Sequence, residues 1–135
     1  MKFNYTGELA YNDVVVINSY AGSPTIAATQ GGYNILASLE DGGYGLDAQR
    51  ANFPNLTYVD NLPWPEADLT GMMVIAHPPC AAFSAQNNSA NKGVDSTHFA
   101  CTRRVIDYAC LHNAAAVMIE SVPGALEGAR AFYDT

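Results

Sequence analysis

Met72-Met73-Val74-Ile75-Ala76-His77-Pro78-Pro79-Cys80-Ala81-Ala82-Phe83-Ser84 is the stretch on which the reading of this chain turns. An apolar run long enough for a buried strand drives into two prolines, and a cysteine follows at once. Proline has no N–H to give a ladder and fixes its own φ, so the strand is predicted to stop there. Cys80 then stands on a stiffened corner at the carboxyl edge of a strand, where open α/β sheets place their ligands. A structural cysteine lies more naturally inside an apolar run, as a small hydrophobe. By itself the corner favours a reactive thiol only modestly.

Upstream, Asp13-Val14-Val15-Val16-Ile17-Asn18 is a continuous β-branched run, the pattern of a strand buried on both faces of a parallel sheet. Residues 1–12 read as a polar lead-in without a period. After the turn Ser19–Gly22, Ser23 suits an N-cap and Pro24 the first helical position, which predicts a helix starting there. Such a strand–turn–helix unit presents backbone N–H groups to an anion or to the polar end of a cofactor, although an ordinary βα turn looks the same. Tyr33–Glu40 reads as a second strand closing on an acid beside a Gly42-Gly43 turn. In nucleotide-binding folds an acid at that place holds ribose hydroxyls; a plain surface carboxylate is an equal alternative. Leu46–Phe53 reads as a short helix stopped at Pro54, and Leu56–Asp60 as a third strand. Trp64, between two prolines, reads as a packing residue. The run Met72–Ala76 is then the fourth strand.

Downstream, residues 85–96 turn to Gln, Asn, Ser, Gly and Lys, a polar loop of the kind that serves as a lid beside a site. Thr97–Asn113 is helix-like, with Phe99, Val105, Ile106, Ala109 and Cys110 on one broad face and Arg103, Arg104 and Asp107 away from it. Cys101 and Cys110 are expected to pack within this element. Ala114–Glu120 is a fifth buried strand ended by an acid, and Ser121–Leu126 opens a turn. Strands alternating with helices and loops predict a doubly wound α/β domain with a mainly parallel sheet of five strands.

The chain has 135 residues, 49% of them hydrophobic and 14% charged, which suits one globular domain and not a disordered segment. No apolar run approaches the roughly 18 residues of a membrane span, and the N-terminus lacks the apolar core of a signal peptide. Three cysteines without paired-ligand spacing indicate neither a disulfide framework nor a zinc site. A reducing, cytoplasmic setting is therefore expected. The net charge of −7 argues against free-standing nucleic-acid binding. Lys92, Arg103 and Arg104 nevertheless cluster downstream of Cys80, either for local anion contact or as a solvated helix face.

Taken together, these strand ends resemble the DNA (cytosine-5) methyltransferase family, in the order of its motifs and over most of residues 13–126. Ser19-Tyr20-Ala21-Gly22-Ser23 is similar to the cofactor turn Phe-x-Gly-x-Gly. Glu40 and Asp41 sit where the family binds the ribose of S-adenosylmethionine. Asn52-Phe53-Pro54 and Asp60-Asn61-Leu62 resemble Asn-Phe-Pro and Gly-Asp-Ile, whose Asp contacts the adenine amino group. Pro78-Pro79-Cys80-Ala81-Ala82-Phe83-Ser84 resembles the catalytic Pro-Pro-Cys-Gln-x-Phe-Ser, and Glu120-Ser121-Val122 resembles Glu-Asn-Val. The fold implied is a Rossmann-like, S-adenosylmethionine-dependent methyltransferase domain, incomplete at the C-terminus.

The resemblance implies S-adenosylmethionine as cofactor, held by Tyr20, Ala21, Gly22, Glu40, Asp41, Asp60, Asn61, Pro79 and Phe99. The implied substrate is double-stranded DNA with a cytosine flipped out of the stack, met by Ser84, Ser121, Val122 and Arg103. Cys80 would add as thiolate to ring carbon 6; a thiol in water has a pKa of about 8.5, so local help is needed. Glu120 would bind ring nitrogen 3 and the exocyclic amine and stabilise the electron-rich adduct. Carbon 5 would then attack the methyl of S-adenosylmethionine, a base would remove the carbon-5 proton, and Cys80 would leave. No metal is implied. Three departures stand out: Ala81 for Gln, Ser121 for Asn, and one glycine fewer in the cofactor turn. The Gln-x-Arg-x-Arg segment, the target-recognition region and the closing strands are not found. The expectation is a partial catalytic domain completed by further sequence or a second chain and inactive alone, in a bacterial or phage-infected cell. The alternative is a catalytically degenerate module that binds the cofactor or a protein.

Overall fold

The computed structural model describes residues 12–42 and 45–133. Its elements are β1 (Asp13–Ile17), α1 (Ser23–Gln30), β2 (Asn34–Leu39), α2 (Leu46–Asn52), β3 (Tyr58–Val59), β4 (Met73–Ala76), α3 (Thr97–Leu111), β5 (Ala116–Ile119), α4 (Pro123–Gly128) and α5 (Arg130–Tyr133). The strands form one sheet in the order β3-β2-β1-β4-β5, and every neighbouring pair is parallel. This order is that of a Rossmann-like sheet.

The run Val14–Ile17 lies at the centre of the sheet because each of its side chains is apolar and both faces need cover. Val14 and Val16 pack with Ala28 of α1 and Ile75 on one face. Val15 and Ile17 pack on the other with Leu39, Val74, Ala76 and the α3 residues Val105, Tyr108 and Ala109. One helix on each face makes the domain doubly wound. The chain runs from β1 outward to β2 and β3, then returns to place β4 on the other side of β1. That reversal opens a crevice between the carboxyl ends of β1 and β4, where doubly wound sheets bind ligands. The turn after Ile17 and the Pro78-Pro79-Cys80 corner face each other across it.

The elements differ from the sequence expectations in instructive places. α1 starts at Ser23 with Gly22 as its N-cap, at φ 109°, so Ser23 is the first helical residue and not the cap. Only Gly tolerates that backbone without strain, and it takes the position from the better side-chain capper. β3 shrinks to Tyr58–Val59, an edge strand with one partner. On α3 the buried side chains are Phe99, Thr102, Val105, Tyr108 and Ala109. Cys110 is exposed, which corrects its expected packing inside the helix. Trp64 is buried and donates its ring N–H to the Glu40 carbonyl at 2.8 Å, a packing residue with a satisfied polar tip. The Gly43 half of the glycine turn and nearly all of the N-terminal lead-in fall outside the described residues.

After β5 the chain does more than turn. Pro123 occupies the first turn of α4, as its lack of an N–H favours. α4 lies directly on the cysteine corner: a Cβ on Gly124 would come within 2.8 Å of the Phe83 carbonyl oxygen, and one on Gly128 within 2.5 Å of the Phe83 ring. Glycine is required at Gly124 for close approach. Gly124→Ala should therefore destabilise the domain by about 1–3 kcal/mol through overpacking, although alanine is the better helix former. A urea midpoint that rises or stays unchanged would show that α4 does not bear on the corner.

Candidate active site at the carboxyl edge of the sheet

The crevice is built on one buried carboxylate. Glu40, at the end of β2, has no exposed surface. Its Oε1 accepts the Ser19 N–H at 3.0 Å and the Gln49 side-chain amide at 3.0 Å, and Oε2 accepts the Tyr20 N–H at 3.4 Å. The Ser38 hydroxyl lies 2.9 Å from Glu40 Oε1 and 3.0 Å from Gln49 Oε1, so one proton serves either acceptor. Gln49 also donates to the Tyr20 carbonyl at 3.0 Å and accepts from Thr25 at 2.9 Å. These bonds hold the β1–α1 turn in an unusual shape, with Asn18 at φ 52° and Tyr20 at φ 48°. Left-handed geometry at bulky residues costs of order 1–3 kcal/mol and persists where surroundings over-determine it. Ser19, Thr25 and Gln49 take over, by side-chain hydrogen bonds, a turn with few glycines.

Two cavities meet at this edge. One, of about 700 Å³, is bounded by Tyr20, Ala21, Asp41, Gly42 and Gly45. The other, of about 510 Å³, contains Cys80 with Ser84, Gln86 and Asn87. They share a wall of Pro79, Ala81 and His98. Cys80 is half-buried, and its carbonyl accepts the N–H groups of Phe83 and Ser84, both at 3.1 Å, which closes the corner into a tight turn. The polar loop expected as a lid folds back on this corner: Asn87 donates to the carbonyls of Ala81 at 2.8 Å and Asn91 at 3.2 Å.

Asp41 faces the larger cavity and collects charge. It accepts Asn18 at 3.0 Å, Arg104 at 3.1 Å and the Cys101 thiol at 3.7 Å. Burial, then the Asp41 carboxylate, pushes the Cys101 thiol up from its ordinary value. Burial also pushes the Tyr20 phenol up, with help from Asp41, Cys101 and Glu40 and against the pull of Arg104. On the far side, Asp60 pairs with Arg50 through Oδ2, while its buried Oδ1 has no partner among the described residues. The Oδ1 of Asn18 is likewise buried and unpartnered. Glu120, at the end of β5, meets Nε2 of His77 at 3.0 Å.

Several residues singled out from the sequence have other neighbours. Phe99 is 1% exposed and packs edge-on to Phe83 and Phe132, closed off from both cavities. Arg103 stacks on Phe99 and Phe132 and donates to the Val94 carbonyl at 3.3 Å, so it ties the loop to the helix. Ser84 lines the Cys80 cavity, whereas Ser121 and Val122 line an apolar groove of about 550 Å³ beside β5. Asn61 is exposed. Gln49 and His98 escaped the sequence reading because nothing in their local pattern marks them. His77 and Asn18 had a signal: each is a polar residue closing a buried strand.

Among the described residues no group of three or more His, Cys, Asp or Glu side chains is gathered to hold a metal, and no helix is long and apolar enough to cross a membrane. No protein-family model matches the chain, and no curated protein matches it. A nucleotide-type cofactor fits the residues in part. Asp60 Oδ1 is a buried acceptor without a donor among the described residues, the chemistry an adenine amino group would meet, but Asp60 lines neither cavity. Glu40 does not fit a ribose contact in this arrangement, since its carboxylate is enclosed and engaged by protein donors.

Tyr20, Tyr58, Tyr108 and Tyr133 are all pushed up, chiefly by burial. A raised folded-state value means stability that is complete below the ordinary phenol value of about 10 and is lost as pH climbs past it. Denaturant titrations should show a decline that begins near pH 10, with a shallower slope in Tyr20→Phe. An unchanged slope in that variant would mean that the phenol is not held in the crevice.

Proposed function

We propose that this chain carries the cofactor-binding and nucleophile-bearing part of an S-adenosylmethionine-dependent DNA cytosine carbon-5 methyltransferase, completed by further sequence or a second polypeptide. The observation that carries the reading is the pair of cavities divided only by Pro79, Ala81 and His98, at the reversal point of the sheet. A methyl donor in one and a cytosine over Cys80 in the other would be adjacent, which a two-substrate transfer requires.

In this reading Tyr20, Ala21, Gly22, Asp41, Asp60 and Pro79 hold the cofactor, which when bound supplies an electrophilic methyl group. The Cys80 thiolate adds to cytosine carbon 6 and makes carbon 5 electron-rich. Glu120 steadies the charge that develops at ring nitrogen 3 and the amine. Once carbon 5 carries the methyl group in place of its excess electron density, it gives up its proton to a base, the electron pair of that bond re-forms the ring double bond, and Cys80 leaves as thiolate. Completion by another polypeptide draws support from β5, which pairs with β4 alone among the described residues. Met118 at 55% and Leu126 at 64% are exposed near that open side.

A catalytically silent cofactor- or protein-binding module is the second reading, and the enclosed Glu40 favours it. One assay separates them. A single-stranded oligonucleotide carrying 5-fluorocytosine needs no flipping, and its fluorine cannot leave as a proton, so an adduct once methylated is trapped. Incubated with S-adenosylmethionine, the chain should gain the mass of one oligonucleotide and one methyl group. Cys80→Ser should abolish this while binding the cofactor within about twofold of the parent, and Asp60→Ala should weaken cofactor binding about tenfold. Cofactor binding without any adduct, even with the downstream half supplied, would favour the silent module, and duplex DNA is expected to give no turnover with this chain alone.

A further inference from the structure

We infer that His77 is a positioning residue for the reaction proposed above: it fixes the Glu120 carboxylate and ties it to the Tyr20 turn. The inference rests on that reading of the site, but its physical basis is separate. His77 follows β4 directly, and its N–H continues the ladder to the Ile17 carbonyl at 3.1 Å. Pro78, next in the chain, is fully buried, so the backbone under the imidazole is held on both sides. The ring is then placed between two other strand ends. The Tyr20 ring stands edge-on to it, with centroids 6.4 Å apart and planes at 74°. On the β5 side, its Nε2 lies 3.0 Å from Glu120 Oε2.

Glu120 needs such a partner. Its N–H is anchored on the Ala76 carbonyl at 3.0 Å, but its side chain is 69% exposed. A glutamate so exposed would sample several rotamers, and ordering it costs entropy. The imidazole selects one of them. An ionised carboxylate only accepts hydrogen bonds, so His77 Nε2 carries the proton in this contact. The bond uses one lobe of the carboxylate, and Oε1 remains for a ligand. Because the same imidazole touches Tyr20, a shift of the cofactor turn reaches Glu120 through one rigid ring. As a hydrogen bond to an exposed carboxylate the contact adds little to stability, so its loss should disturb geometry and leave folding intact.

Two measurements test this on the full chain. Long-range nitrogen-15 spectra at about pH 8, where a free imidazole is neutral, should show His77 as the single Nε2–H tautomer; Glu120→Ala should return it to a mixture. Trapping rates with the single-stranded 5-fluorocytosine oligonucleotide should fall about tenfold in His77→Ala and recover to within about threefold in His77→Gln, whose amide reaches the same acceptor. In a Glu120→Ala background, His77→Ala should add nothing further. A tautomer indifferent to Glu120→Ala, or losses that multiply in the double variant, would overturn the inference. If the parent chain forms no adduct, the proposed reaction falls with the positioning role in it, and the tautomer alone then reports whether the contact exists.

Discussion

Glu40 is the group on which the crevice depends. A carboxylate without solvent is tolerable only when donors surround it, since an uncompensated buried charge costs several kcal/mol. Here the donors come from three places: the N–H groups of Ser19 and Tyr20 after β1, the hydroxyl of Ser38 on β2, and the amide of Gln49 on α2. One side chain thus sets the distance between the first two strand ends and seats α2 against both. The left-handed Tyr20 follows from this, because its N–H and C=O are both claimed by the network. Low dielectric strengthens each bond and penalises each loss, so the cluster orders as a unit.

The second constraint is steric. The Pro78-Pro79-Cys80 corner is closed from below by the sheet and from the side by α4, whose Gly124 and Gly128 admit Phe83. Phe83 in turn packs on Phe99, and Arg103 covers Phe99 and Phe132 while binding the loop carbonyl of Val94. An aromatic cluster therefore stands behind the thiol, and residues that look like ligand contacts in one dimension are its supports. The polar loop joins the same assembly through Asn87 and the Gly93 N–H on the Ala82 carbonyl. Cys80 is left as the half-buried member of a corner whose other parts are tied down.

Five strands were legible because β-branched and apolar runs punctuated by Pro, Gly and acids have little else to be, and the described strands lie within those runs, although β5, expected as buried, is half-exposed. Less legible was anything that turns on a single geometry. Ser23 has the right chemistry for a cap, yet the backbone there demands Gly22 at φ 109°. Cys110 and Ile106 fit the apolar face of α3 by period, but they line the open groove beside Val117 and Ile119 of β5, and Thr102 and Tyr108 are buried in their place. The turn expected to open at Ser121–Leu126 is the start of α4, because Gly124, which looks like a breaker, answers to Phe83, a neighbour about forty residues away.

From residues alone come the alternation of strands and helices, the stop at Pro78, and the placement of Cys80, Glu40, Asp60 and Glu120 at strand ends, since these follow from local periodicity and from what proline forbids. Tertiary structure decided which partner each of those acids meets. Glu40 turned inward because the turn after β1 and α2 brought it three donors beside Ser38 of its own strand, Asp60 kept one oxygen unpaired among the described residues because Arg50 took only the other, and Glu120 found His77 because β5 lies beside β4. A carboxylate's partners come from other strands and helices, and the distances between those are set by packing that no local pattern records.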